Sequence, residues 1–105
     1  MTFEDFNKVV EIMVKAEQEI GKIKGIEYTQ QGDRLDNFKR LSLELGITPK
    51  QVLWIYLKKH LDSILSYIKN DSHSESLSEP IESRIMDARV YLSLLRGLIE
   101  EEKTG

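Results

Sequence analysis

Residues 46–57 read GITPKQVLWIYL, and this stretch decides the fold. A glycine suited to the left-handed conformation closes one segment, and Thr48 then offers its hydroxyl to the free backbone N–H groups of a new helix. Pro49 falls at the first helical position, where its missing N–H costs nothing, and Gln51 completes a capping box with Thr48. Ile47 is placed to staple onto Val52. The helix that starts here carries Val52, Leu53, Ile55, Leu57, Leu61, Ile64, Leu65 and Ile68, a wider apolar surface than one neighbour covers. Such a helix is either central to its bundle or faces another subunit.

Working outward, Leu35, Phe38, Leu41 and Leu45 give a short amphipathic helix over Asp33–Leu45, with Asp33 as N-cap and Gly46 as terminator. The first segment opens with Thr2 and Asp5, a capping box with Asp in place of Glu, and Phe3, Phe6, Val10, Met13, Ile20 and Ile23 recur at helical spacing. This helix is expected to run to about Lys24, with Gly25 as its left-handed cap and Lys22 and Lys24 beside the negative end of the dipole. Ile26–Gln31 then reads as a short loop carrying Tyr28. Glu17 falls where the stripe wants an apolar residue; because Glu is rarely fully buried, it is expected to lean out at the stripe edge, with a functional role as the alternative.

Downstream, Asn70–Ser78 (NDSHSESLS) alternates serine with polar residues and buries almost nothing, so it reads as a mobile loop with His73 solvated in it. The last helix begins near Ser78–Pro80, and Ile81, Ile85, Ala88, Leu92, Leu95 and Ile99 form a 4-3-4-3-4 seam. No segment needs a strand. The expected fold is all-α: one domain over residues 1–105, an antiparallel bundle of about four helices. At this size, association with copies of itself adds useful burial, and a homo-oligomer is expected.

Charged residues make up 31% and apolar ones 40%, with a formal charge of -3, which describes a soluble globular chain. The acids gather in the first helix and in Glu100-Glu101-Glu102, whereas Lys22, Lys24, Arg34, Lys39, Arg40, Lys58 and Lys59 crowd the middle and leave room for a local anion site. The absence of cysteine excludes disulfides, thiol catalysis and thiolate metal sites. The start MTFEDFNKVV is acidic and has no long apolar run, so neither a signal peptide nor a membrane span is expected, and the cytoplasm is the expected location. No helix carries the continuous basic surface that duplex nucleic acid demands.

Three features interrupt the apolar pattern. In the last helix a second line, Arg84, Asp87, Tyr91, Leu94 and Leu98, runs beside the seam, putting an Arg, an Asp and a Tyr on one partly buried face. In the third helix His60 falls on the line Leu53, Leu57, His60, Ile64, with Lys59 beside it and Tyr56 one turn earlier. In the second, Arg34 and Asn37 lie three apart and Asp33 and Asn37 four apart, a polar face over Leu35 and Phe38. The ordinary alternatives are an exposed Arg84–Asp87 ion pair worth at most about 1 kcal/mol and a hydrogen-bonded core-edge histidine. If the helices converge, however, Arg, Lys and His donors, an Asn and two tyrosines build a pocket.

Metal-assisted cleavage of a nucleotide asks for more, because a hard cation bridging phosphates wants several carboxylates. On the last helix Asp87 has Arg84, not a second carboxylate, three residues before it, and Glu82, five residues earlier, points elsewhere. The first helix offers Glu17-Gln18-Glu19, without the spacing that aims two carboxylates together. No metal, cofactor or catalytic residue is therefore assigned.

The order KGIEYTQQGDRLDNFKRLSLELGITPKQVLWIYLKKHLDSI, followed by IESRIMDARVYLSLL, resembles short phage and prophage proteins of the nucleotide-modification-associated type, which share the size and organisation of the helical MazG-like pyrophosphatases. The resemblance covers roughly residues 22–99 and rests on Tyr28, Asp33-Arg34-x-x-Asn37-Phe38, Gly46-x-Thr48-Pro49, Lys59-His60, and Asp87 with Tyr91. Many such relatives have a Glu four residues before the Asp of the last helix, where this chain has Ser83, and the departure weakens any carry-over of metal-dependent catalysis.

Phages also encode small, oligomeric, cysteine-poor proteins that capture nucleotide signals of bacterial immune systems, to which this chain is similar in size. By that analogy the expected protein sequesters a nucleotide-derived signal, cyclic or ADP-ribose-type, in a host bacterial cytoplasm and without cleaving it. Arg34, Lys59 and Arg84 would bind phosphate, Asn37 and Tyr28 base or ribose, and His60, Asp87 and Tyr91 would orient them. A Mg-dependent nucleotide pyrophosphatase and a non-catalytic helical interaction module are the alternatives.

Overall fold

The Thr48 capping box forms as its spacing requires. Gln51 donates its backbone N–H to Thr48 Oγ1 at 3.1 Å, and the Gln51 side-chain oxygen accepts from the Thr48 N–H at 2.9 Å. It opens one of four helices in the computed structural model, which describes residues 1–28, 32–70 and 79–105, the side chains of 23–28 excepted. The helices are α1 (Phe3–Tyr28), α2 (Asp36–Leu45), α3 (Pro49–Lys69) and α4 (Ile81–Thr104), and no strand is found among the described residues. The chain is an all-α bundle. None of its described helices is long and apolar enough to cross a membrane.

The centre of the bundle is the α3–α4 pair. Lys50 meets Glu102, Tyr56 meets Tyr91 and His60 meets Asp87, so residue numbers rise along α3 as they fall along α4 and the two run antiparallel. Between them Val52, Leu53 and Leu57 of α3 pack with Ala88 and Leu98 of α4, and α2 closes the cluster by inserting Phe38, with Leu35 from the turn before it. Each such large side chain contributes on the order of 1.5–3 kcal/mol through burial. Gly46, at φ 70°, ends α2 and donates its N–H to Ser42 O at 3.0 Å. That left-handed turn places Thr48 to start α3.

Helix α1 is held differently. Glu17 reaches α4, accepting a hydrogen bond from Ser93 at 2.9 Å and lying 3.4 Å from Arg89 Nε, so it is a tether between helices rather than a residue leaning into solvent. Elsewhere α1 touches the bundle thinly. The Cα radius of gyration is 15.6 Å, above the roughly 13 Å of a closed globule of this length.

The structure corrects several boundaries. Helix α1 continues through Gly25 to Tyr28, so Gly25 is not its cap. A glycine inside a helix costs only about 1 kcal/mol, and the flanking Lys22, Lys24 and Glu27 are good helix formers. Residues 29–31 of the expected loop lie outside the described residues. Asp33 is not the N-cap of α2, which begins three residues later. Its Oδ1 instead accepts the Leu35 N–H at 2.9 Å, folding residues 33–35 into a turn of their own before the helix. In α4 the stripe turned inward is rotated from the expected seam. Of the seam, Ile81 and Ala88 are buried and Leu95 packs on the core, but Ile85 and Leu92 remain 41% and 53% exposed, while Tyr91, Leu94 and Leu98 of the second line also lie in or against the core. The large rings of Phe38, Tyr56 and Tyr91 fill that side. Residues 71–78, with the expected mobile loop and His73, lie outside the described residues.

Candidate functional site

The rotation of α4 has a local consequence: it turns Asp87 and Tyr91, one helical turn apart, toward α2 and α3. Together with Arg34, Asn37 and Phe38 from the α2 side and Tyr56 from α3, they line a cavity of about 320 Å³, completed by Val90 and Leu94. Four of the sequence-derived candidates, Arg34, Asn37, Asp87 and Tyr91, thus share one wall system.

Arg34 owes its place to the turn before α2. Gly32, at φ 75°, lets the chain reverse into it, and Asp33 then closes it on Leu35. The free Asp33 Oδ2 accepts from Lys39 Nζ at 2.7 Å, and the same ammonium donates to Glu101 at 2.7 Å, pinning the turn to the C-terminal end of α4. The Lys39 ammonium, with the Leu35 N–H behind it, holds the Asp33 carboxyl below the usual carboxylate range, and Asp33 and then Glu101 hold Lys39 above the usual lysine range. The polar residues between Asp33 and Lys39 therefore divide. Asp33 and Lys39 build the support, and Arg34 and Asn37 face the cavity.

Aromatic rings form the cavity's base. Phe38 meets Tyr56 and Tyr91 edge-on, at centroid distances of 6.5 and 6.4 Å, and His60 stacks on Tyr91 at 5.3 Å. His60 Nδ1 also lies 3.6 Å from Asp87 Oδ2, with both side chains more than four-fifths buried. That separation exceeds hydrogen-bonding distance. Phe38 is fixed in the core, and the tyrosines cannot shift without disturbing it.

The charge pattern at the edge is the informative part. Among the described residues neither Arg34 nor Asn37 has a hydrogen-bonding or ionic partner. An uncompensated guanidinium presents five donors in a planar fork suited to phosphate or carboxylate, and an amide offers both a donor and an acceptor to a base edge or a hydroxyl. The tyrosines supply π-faces for a planar ring. The cavity can accordingly hold a small molecule that is anionic at one end and flat at the other.

The remaining candidates stand elsewhere. Lys59 is exposed on α3 and does not line the cavity. Arg84, one turn before Asp87, lies 3.7 Å from Glu79 and does not line it either. The Tyr28 side chain is outside the described residues. Tyr56, one turn before His60 in the sequence but given no ligand contact there, is a wall residue, as are the apolar Phe38, Val90 and Leu94. Among the described residues no three His, Cys, Asp or Glu side chains come together as a metal would need. No protein-family model, curated protein or solved structure matches the chain.

Proposed function

We propose that the protein binds a nucleotide-like small molecule in the cavity between α2, α3 and α4 and holds it without cleaving it. The observation that supports this reading is the pairing of an uncompensated Arg34 and Asn37 with the aromatic base formed by Tyr56 and Tyr91. Arg34 takes phosphate, Asn37 takes base or ribose, and Asp87, backed by His60, accepts from a ribose hydroxyl or an exocyclic amine. With the similarity in size to the phage proteins that capture nucleotide signals, this supports reading the protein as a phage-type sponge that sequesters a nucleotide-derived immune signal, cyclic or ADP-ribose-type. A volume of about 320 Å³ lies at the small end of ligand pockets and suits one nucleotide unit. In this reading the protein is a homo-oligomer, since a ligand of two units extends beyond one such cavity.

Cleavage finds no comparable support: among the described residues Asp87 is the one carboxylate lining the cavity, whereas a Mg²⁺-assisted displacement uses several. The deciding experiment is a thermal-shift screen against mononucleotides, cyclic dinucleotides and ADP-ribose derivatives, followed by heat release and chromatography of the ligand. A ligand at about 100 times its Kd stabilises the fold by about 2.7 kcal/mol, and it should return chemically intact. A panel in which nothing raises the melting temperature refutes binding, and recovery of a hydrolysed product refutes simple sequestration.

A further inference from the structure

We infer, resting on the nucleotide reading of the site, that the cavity between α2, α3 and α4 selects a ligand whose phosphate is a diester with a single negative charge, and discriminates against di- and triphosphates of the same nucleosides. The charges of the wall set this limit. Arg34 is the one cation among the described residues that lines the cavity, and Asp87 the one carboxylate. The neighbouring cations are engaged elsewhere: Lys39 by Asp33 and Glu101 at 2.7 Å each, Arg40 by Asp36 at 2.7 Å, and Arg84 by Glu79 at 3.7 Å. Lys59 is not part of the wall.

His60, whose Nδ1 lies 3.6 Å from Asp87 Oδ2, sets the balance. Neutral, it leaves Arg34 and Asp87 to offset each other, and the wall carries no net charge. Protonated, it offsets Asp87, and the wall carries one positive charge. In neither state does the site match more than one negative charge on a ligand. A phosphodiester carries one, whereas a phosphomonoester carries about −1.5 to −2 at pH 7 and a di- or triphosphate more. Each charge beyond the first shares the partly buried cavity with Asp87 and finds no cation there, and such like-charge juxtaposition disfavours binding. Shape agrees with charge. A phosphodiester has two non-bridging oxygens, which the guanidinium fork of Arg34 can meet with two parallel N–H···O bonds. The rival is a triphosphate carried on Mg²⁺ by Asp87. It fits less well, because one oxygen of Asp87 already faces His60 and the side chain is more than four-fifths buried, whereas Mg²⁺ dehydrates reluctantly and keeps several waters.

The test is titration calorimetry of the full chain against the 3′,5′-cyclic monophosphates and cyclic dinucleotides of adenine and guanine, and against ADP-ribose, ATP and GTP, each with EDTA and again with Mg²⁺. At least one cyclic diester should bind about tenfold or more tighter than ADP-ribose and both triphosphates in either condition. Asp87→Asn removes the opposing charge and keeps the shape, so it should tighten triphosphate binding and narrow that gap by about tenfold, with the helical circular dichroism retained. ADP-ribose or a triphosphate that binds as tightly as every diester, with or without Mg²⁺, overturns the inference and leaves the nucleotide reading standing. Binding of none of the compounds overturns both. A gap that Asp87→Asn leaves unchanged overturns selection by charge. Should that variant lose its helix signal, the wild-type ranking decides by itself.

Discussion

Tyr91 of α4 lies parallel to Tyr56 of α3, with ring planes 1° apart and centroids separated by 6.2 Å. Because Phe38 and His60 also contact the Tyr91 ring, this side chain joins α2, α3 and α4 at the cavity base. Removing it leaves a hole bordered by three rings that cannot all collapse. Tyr91→Ala should cost about 3 kcal/mol, and Tyr91→Phe, which keeps the ring, about 1 kcal/mol or less. Urea denaturation of the three proteins measures both. Equal midpoints for Tyr91→Ala and wild type would show that the ring does not bridge the helices.

Arg34 should behave in the opposite way. Its guanidinium has no ionic partner among the described residues, so Arg34→Ala should alter stability by no more than about 0.5 kcal/mol. Binding of a phosphate-bearing nucleotide should weaken by about tenfold or more, equivalent to about 1.4 kcal/mol. Arg34→Lys should fall between the two, since an ammonium keeps the charge but loses the fork. Melting curves with and without nucleotide separate these effects. An Arg34→Ala protein that binds as tightly as wild type removes Arg34 from the site.

Below pH 3.8, the ordinary value for an aspartate, the turn that carries Arg34 should begin to loosen. The Asp33 carboxyl titrates lower in the folded chain because of Lys39 and the Leu35 N–H. Its contribution is therefore complete above pH 3.8 and fades as pH falls through the lowered folded value. Lys39 is shifted upward, so its share is complete below its ordinary 10.5 and fades as pH rises through the higher folded value. Both side chains are more than one-third exposed, which limits the pair to about 1 kcal/mol or less. Asp33→Asn should be less stable than wild type at pH 7, and the gap should narrow at strongly acidic and strongly alkaline pH. A gap that is constant with pH would mean the pair has no such linkage.

What could be read in the sequence follows the range of the interactions involved. The Thr48–Gln51 box closes within four residues, and its structure needs nothing from the rest of the chain. Asp33 was harder, because an N-cap and a turn both use an aspartate oxygen and a nearby N–H. The choice between them is made by Lys39 and, across the fold, by Glu101. The two stripes of α4 are equally continuous in sequence, and the one facing inward is selected by rings contributed from α2 and α3. For the same reason Arg34, Asn37, Asp87 and Tyr91 stood out as polar residues beside apolar lines, whereas Tyr56 stood out only as the neighbour of His60. Convergence of three helices on one cavity is a tertiary fact that no local spacing encodes. The open face of α1 had a partial sequence signal in Phe3 and Phe6, but periodicity cannot say whether the partner of a stripe lies in the same chain.

Two glycines give the sharpest stability contrast. Gly46 holds φ 70° at the end of α2, and a Cβ there would meet nothing within 4 Å. The penalty of Gly46→Ala is therefore one of backbone conformation alone, about 1–2 kcal/mol. Gly97 is helical, and a Cβ would touch the Leu35 methyls at 3.8 Å, ordinary van der Waals contact. Gly97→Ala should stabilise the protein by about 0.5–1 kcal/mol, because it restricts the unfolded chain and favours α4 without a clash. Gly21, inside α1 with open space around its Cβ position, should respond like Gly97. Urea midpoints at a constant m value give all three signs. If Gly97→Ala destabilises instead, the approach of Leu35 to α4 is closer than the helix packing described here.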